Sequence, residues 1–188
     1  SSLVRAKVTQ ELLVNNKVQY ILFEKFLFQN RKDYSEIQII LKQKKVKAWV
    51  NQWMSSSVAF NEMAAWIGDG LNEISVDGKG WGLACNSVHF LDFLDSISGR
   101  EGLKINKIDI NNECFESKRS GFFELTGGIS IQSARGIILN LSSKGIDSDN
   151  VIHIKMDGGN KCLEATLSIG EINCVFHAED DEVSIKKY

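Results

Sequence analysis

At 188 residues, with 43% hydrophobic and 24% charged side chains, the chain is long enough for one sizeable core, or one core and part of another. A formal charge of −2 and a pI near 5.9 supply no general attraction to nucleic acid or to an acidic membrane. No apolar run approaches the ~20 residues of a spanning helix, and the opening residues have neither the apolar centre nor the cleavage site of a secretory signal. In chain order, Leu3, Val4, Val8, Leu12 and Leu13 fall at helical spacing and predict an amphipathic helix over residues 3–14. The continuous apolar run VQYILFEKF then predicts a strand buried on both faces in a parallel sheet. A helix from Tyr34 to Lys42, with Asp33 or Ser35 as its cap, leads to a second strand in VKAWVNQWM. A further helix runs from about Ser57 to Ile67 and stops at Gly68. Basic side chains in KQKKVK, residues 42–47, suit a helix C-terminus better than nucleic acid.

After the Gly-rich DGKGWGLA comes a helix holding His89, and then the rhythm changes to period two. LKINKIDI, FFELTGGISIQSA, GIILNLSS, NVIHIKM, KCLEATLSI and INCVFHA read as antiparallel strands, with TGG and DGGN as turns. Residues 1–52 therefore read as an α/β unit with the rhythm of a doubly wound sheet, which the family resemblance carried by the motifs below implies is the remnant of a dinucleotide-binding domain. This unit is followed by an α+β domain, residues 53–188, with a large and mainly antiparallel sheet of about six strands. One open face of that sheet needs cover, which predicts a homodimer or larger. No G-x-G-x-x-G precedes a helix, so the phosphate-binding turn of such a domain is expected upstream, and the chain reads as the C-terminal part of a larger protein.

Cys85, Cys114, Cys162 and Cys174 are widely spread and form no C-x-x-C pair, which suits reduced thiols in the cytoplasm. Cys174 and His177 have a spacing open to a metal, but no second ligand pair accompanies them, and no metal is expected. Trp49, Trp53 and Trp66 read as core or interface residues, whereas Trp81 and Asn86 are candidates to line a pocket.

Two stretches carry chemistry. FEKF puts Glu24 and Lys25 at the end of a parallel strand, where open α/β sheets place ligands. CNSVHFLD puts Cys85, His89 and Asp92 at i, i+4 and i+7 on one helix face. Each stretch alone has a plain structural reading, as a strand end and as a packed core histidine.

Taken together, SSLVRAKVTQELL, YILFEKF, VKAWVNQ and GKGWGLACNSVHFLDFL resemble, in order, the Gfo/Idh/MocA family of NAD(P)-dependent oxidoreductases, over roughly its C-terminal two-thirds. The resemblance implies that Glu24-Lys25-Phe26 stands for a Glu-Lys-Pro strand end, with phenylalanine replacing proline. It implies that His89 is the catalytic histidine of a D-x-G-x-H-x-x-D helix and Asp92 its closing carboxylate, with Cys85 in place of the first aspartate. NAD or NADP is the implied cofactor, met by Glu24 and Lys25, and a sugar or activated sugar is the implied substrate. In that reading His89, whose ordinary pKa of ~6.5 lies near neutrality, takes the hydroxyl proton as general base. Lys25 polarises the developing oxyanion. Trp81, Cys85, Asn86, Asp92, Lys118 and Arg119 are the implied substrate contacts, the last two suited to a carboxylate or phosphate. Variants of the ESKRSGFFELTG stretch resemble a subgroup tied to surface-polysaccharide biosynthesis. The alternative is a non-catalytic binding or scaffold protein that keeps the fold.

Overall fold

A computed structural model describes residues 2–117, 121–145, 151–178 and 181–188, the side chains of 181–183 excepted. The chain divides into two compact units, Ser1–Trp53 and Met54–Tyr188.

In the first unit, α1 (Ser2–Asn15), β1 (Tyr20–Glu24), α2 (Arg31–Gln43) and β2 (Lys47–Asn51) alternate, and β1 pairs with β2 in parallel register, Glu24 opposite Asn51. Phe23, Phe28 and Ile37 form its core, with Phe28 edge-on to both Phe23 and Tyr34. Four expectations change here. The first strand is not buried on both faces: Tyr20 and Leu22 are 63% and 67% exposed, because one face alone packs on this small core. On the open face Trp49 stacks on Tyr20, so it is a surface residue rather than a core one. The apolar spacing of α1 also misleads, since Thr9 and Leu13 are its buried residues while Leu3, Val4, Val8 and Leu12 are exposed. Finally, α2 starts three residues before Tyr34, behind Asn30 in extended conformation and with no side-chain cap bond, so neither Asp33 nor Ser35 caps it.

In the second unit, a short helix α3 (Trp53–Ser56) replaces the end of the expected second strand, and α4 (Val58–Ile67) stops at Gly68, which has φ 72°. β3 (Glu73–Gly78) leads to α5 (Leu83–Ile97) and then to β4 (Leu103–Glu116), β5 (Phe123–Ser133), β6 (Ile138–Ser143), β7 (Ile152–Asp157), β8 (Lys161–Ser168), β9 (Glu171–Ala178) and β10 (Asp181–Lys187). They form an eight-stranded sheet in the order β10-β9-β8-β7-β3-β6-β5-β4. The sheet is mixed: β3 runs parallel to β6, and the other neighbours are antiparallel. The period-two reading missed β3, which is short and yet central, and β10, whose run is mostly charged. The TGG signal is also not a turn. It lies within β5, where Gly127 has φ 121° and a Cβ would stand 2.2 Å from the carbonyl oxygen of Asp109. A β-bulge there explains the glycine: β4 carries extra residues between Ile110 and Cys114 and presses its backbone onto β5.

Alternation sets the two faces of the sheet. Ile74, Val76, Leu139, Leu141, Ile154, Met156, Leu163 and Phe176 turn to one face and bury there with Phe60 and Met63 of α4 and Phe90, Phe93 and Leu94 of α5. The opposite face carries Ser75, Lys155 and Glu164 in one cross-strand row and Asp77, His153 and Thr166 in the next. Cys174 turns inward, its Sγ 3.5 Å from Met63 Sδ, while His177 pairs across strands with Cys162. An i, i+3 spacing in a strand puts the two on opposite faces, so they cannot share a ligand.

The chain end is clasped to α4. Tyr188 exchanges both backbone hydrogen bonds with Ile172, and its hydroxyl donates to Glu62 Oε2 at 2.6 Å. Burial, reinforced by that bond, pushes the Tyr188 phenol up to about 12, and the same bond holds the Glu62 carboxyl below its usual range. A raised pKa in the folded state means stability that is complete below pH ~10 and is lost as pH climbs through about 12. Tyr188→Phe is therefore expected to remove the last step of the phenolate absorbance titration and to flatten alkaline unfolding above pH ~10. An unchanged titration curve would contradict the clasp.

Candidate functional site

Site residues lie in both units. In the first, the carboxyl ends of β1 and β2 bring Glu24 and Asn51 side by side, and Asn51 Nδ2 donates to Glu24 Oε1 at 2.7 Å. Lys25 follows immediately, half-buried, with its Nζ 5.7 Å from the ring centre of Phe26. Glu24 is exposed. A carboxylate held by an amide, next to an ammonium, thus stands at the carboxyl end of parallel strands, where open α/β sheets place ligands.

In the second unit α5 carries the cluster. Its N-cap is Gly82 in left-handed conformation, φ 81°, where a Cβ would meet Asn86 Nδ2 at 3.0 Å and the two carboxylate oxygens of Glu124 at 3.5 and 3.6 Å. Glycine is thus required both by torsion and by the close approach of polar groups to the helix start. Asn86 Nδ2 donates to the Trp81 carbonyl at 2.6 Å, and Trp81 Nε1 donates to the Ser142 carbonyl at 2.7 Å, so the loop is tied to the end of β6. Trp81 itself is 6% exposed, edge-on to Phe90, and packs in the core rather than standing open. Cys85 is exposed in the first turn, and His89 is 7% exposed one turn further on. Asp92 Oδ1 lies 3.5 Å from Arg100 Nη1, while its Oδ2 is buried without a hydrogen bond among the described residues.

The structure therefore brings Trp81 and Asn86 together with the opening of α5, and it turns Asp92 toward Arg100 near the helix C-terminus. Lys25 belongs to one unit and His89 to the other. Lys118 and Arg119 lie outside the described residues. One group escaped the sequence reading: Glu124 of β5, whose carboxylate reaches the Gly82–Asn86 corner. Its only signal was an acidic residue in a largely apolar strand, three positions before the glycine of the bulge. Among the described residues no group of three or more His, Cys, Asp or Glu could hold a metal ion, and no helix is long and apolar enough to cross a membrane.

No protein-family model matches the chain, and no curated protein does. Solved structures do. The fold is similar over 100% of this chain and 62% of the other to KijD10, a 3-ketoreductase from Actinomadura kijaniata in complex with NADP and TDP-benzene, with 10% identity and a TM-score of 0.72. It is similar over 98% of this chain and 58% of the other to the super-repressor mutant of Gal80p from Saccharomyces cerevisiae, with 17% identity and a TM-score of 0.71. A dehydrogenase, MviM, from Clostridium difficile shares the fold over 99% of this chain and 60% of its own, at 11% identity and a TM-score of 0.70. The chain thus has the fold of Gfo/Idh/MocA-type oxidoreductases, matching their C-terminal part. It spans about three-fifths of the length of these structures.

Proposed function

We propose that the chain is the C-terminal portion of an NAD(P)-dependent oxidoreductase of the Gfo/Idh/MocA family that acts on a sugar or activated sugar, in the cytoplasm, with a place in surface-polysaccharide biosynthesis. The observation that carries this reading is Glu24-Lys25 at the carboxyl end of a parallel strand pair, in a chain whose whole length follows the fold of solved oxidoreductases. Residues 1–52 are then the end of the dinucleotide-binding domain, and residues 53–188 the substrate and oligomerisation domain.

Glu24 and Lys25 would meet the nicotinamide cofactor, which supplies hydride transfer to or from the sugar carbon. The remaining work falls to this chain. Lys25, a cation, stabilises negative charge on the reacting oxygen. His89 accepts or returns the hydroxyl proton. Asn86 and Glu124, at the opening of α5, offer an amide and a carboxylate to sugar hydroxyls, and exposed Cys85 stands beside them. Asp92 supports the end of the same helix through Arg100, and Lys118 and Arg119 are proposed to meet an acidic group of the substrate. The uncovered, polar face of the sheet is the proposed contact between subunits, and its side chains imply a hydrogen-bonded, hydrated interface.

A titration of the full-length protein with NADH and with NADPH, followed by nicotinamide fluorescence, tests the reading. Saturable binding of either supports it, and binding of neither overturns it. A second reading, a binding or scaffold protein that keeps the fold, is favoured by one observation: an exposed thiol, Cys85, stands where the family has the first aspartate of the helix motif. The likeness to a repressor protein is consistent with it. Saturable nicotinamide binding without turnover of any sugar substrate would favour that reading.

A further inference from the structure

We infer that Arg5 is a positioning residue that fixes the loop bearing Lys25. The chain leaves β1 at Glu24 and is next anchored in a core at Phe28, 7% exposed and edge-on to Phe23. Between these points, residues 25–27 have little burial to hold them: Phe26 is 41% exposed and Lys25 and Leu27 are half-buried. Phe26 also leaves its own φ free, where a proline would lock it near −65°, and the whole chain contains no proline. Order in this loop therefore needs another source.

Arg5 provides it. From α1 its Nη1 reaches across to the carbonyl of Glu24 at 2.6 Å, the carbonyl of Phe26, and the carbonyl of Leu27 at 3.1 Å. These acceptors flank Lys25, one before it and two after. The Glu24 carbonyl fixes the peptide plane before it, and the Phe26 carbonyl fixes the second plane after it. Little backbone freedom remains between those planes, so the direction in which the Lys25 side chain leaves the backbone is set. Two neighbouring bonds finish the frame: Asn51 to Glu24, and Gln29 Nε2 to Ser2 Oγ at 3.3 Å, again from α1. A guanidinium suits the task because it is planar and always charged, and its terminal Nη1 reaches all three carbonyls, with its two N–H groups shared among them.

The consequence for turnover rests on the proposed role of Lys25, but the clamp is tested without any activity. Amide hydrogen exchange is measured by mass spectrometry on the full-length protein and on its Arg5→Met and Arg5→Lys variants. Arg5→Met is expected to speed exchange at residues 25–28 about tenfold or more, and Arg5→Lys to fall between it and wild type, with the second unit unchanged as internal control. Labelling of the Lys25 amine by a small acylating reagent, referred to Lys17, is expected to change in the same order. Unchanged exchange and labelling in Arg5→Met overturns the inference. If Arg5→Met fails to fold, Arg5→Lys decides, and wild-type exchange at 25–28 in that variant overturns it. In the full-length protein, Arg5→Lys is expected to lower kcat severalfold with nicotinamide affinity unchanged. A full-length protein that binds no nicotinamide would remove the proposed function while leaving the exchange result intact.

Discussion

Under the proposed function, His89→Ala is expected to lower turnover of the full-length protein by ~10²-fold or more with nicotinamide affinity nearly unchanged, and Lys25→Ala to lower turnover by a comparable factor. The expectation follows from what each group can do. His89 is buried to 7% exposure on a helix whose opening is lined with polar groups, Asn86 and Glu124, so truncation removes the proton acceptor held at a fixed place in the fold. His89→Gln keeps a hydrogen-bonding side chain of similar reach but cannot carry the proton, and it is expected to fall nearly as far as alanine. Lys25→Arg keeps the charge in a different geometry and should retain more activity than Lys25→Ala. Because the two residues lie in different units, their joint action is a matter for a double-mutant cycle. If they serve one transition state, the double variant loses far less than the product of the two single losses. Wild-type turnover in either single variant would remove that residue from the reaction.

Periodicity made part of this fold legible. α5 and strands β5 to β9 show strong apolar periods, and each of these elements buries one face on the core that the pattern marks. Where burial did not follow hydrophobicity, the reading failed. The run VQYILFEKF is apolar on both faces, yet only its Phe23 side packs, and α1 turns Thr9 rather than Val8 inward. Long-range backbone contact was equally invisible. The glycines of TGG look like a turn in one dimension, and only the approach of Asp109 from a strand distant in sequence shows that they relieve a bulge. The site divides the same way. Helical spacing places Cys85, His89 and Asp92 along one face of α5, but spacing cannot show that Asp92 meets an arginine at position 100. Nor can it find Glu124, brought to the helix start by the sheet, or Arg5, whose partners are main-chain carbonyls that leave no residue pattern.

Phe60→Ala is expected to destabilise the second unit by ~3–5 kcal/mol, a large part of the ~5–15 kcal/mol that a typical domain has in total. Phe60 of α4 and Phe93 of α5 are 0% and 1% exposed and meet edge to face, ring centres 5.2 Å apart at 72°. They join the two helices over the apolar face of the sheet, so truncation leaves a buried apolar cavity that solvent does not fill. Phe60→Leu, which keeps most of the volume, should cost well under half as much. Urea unfolding followed by tryptophan fluorescence measures both, and a lower midpoint at constant slope is the expected form of the change. The effect bears on the site through α5. His89 lies one turn before Phe93 on this helix, so loosening the Phe60–Phe93 contact frees the imidazole as well as the core. In Phe60→Leu, turnover should therefore fall further than the loss of folded protein accounts for. If the midpoint drops while activity per folded molecule stays at the wild-type level, the packing of α5 on α4 does not set the position of the histidine.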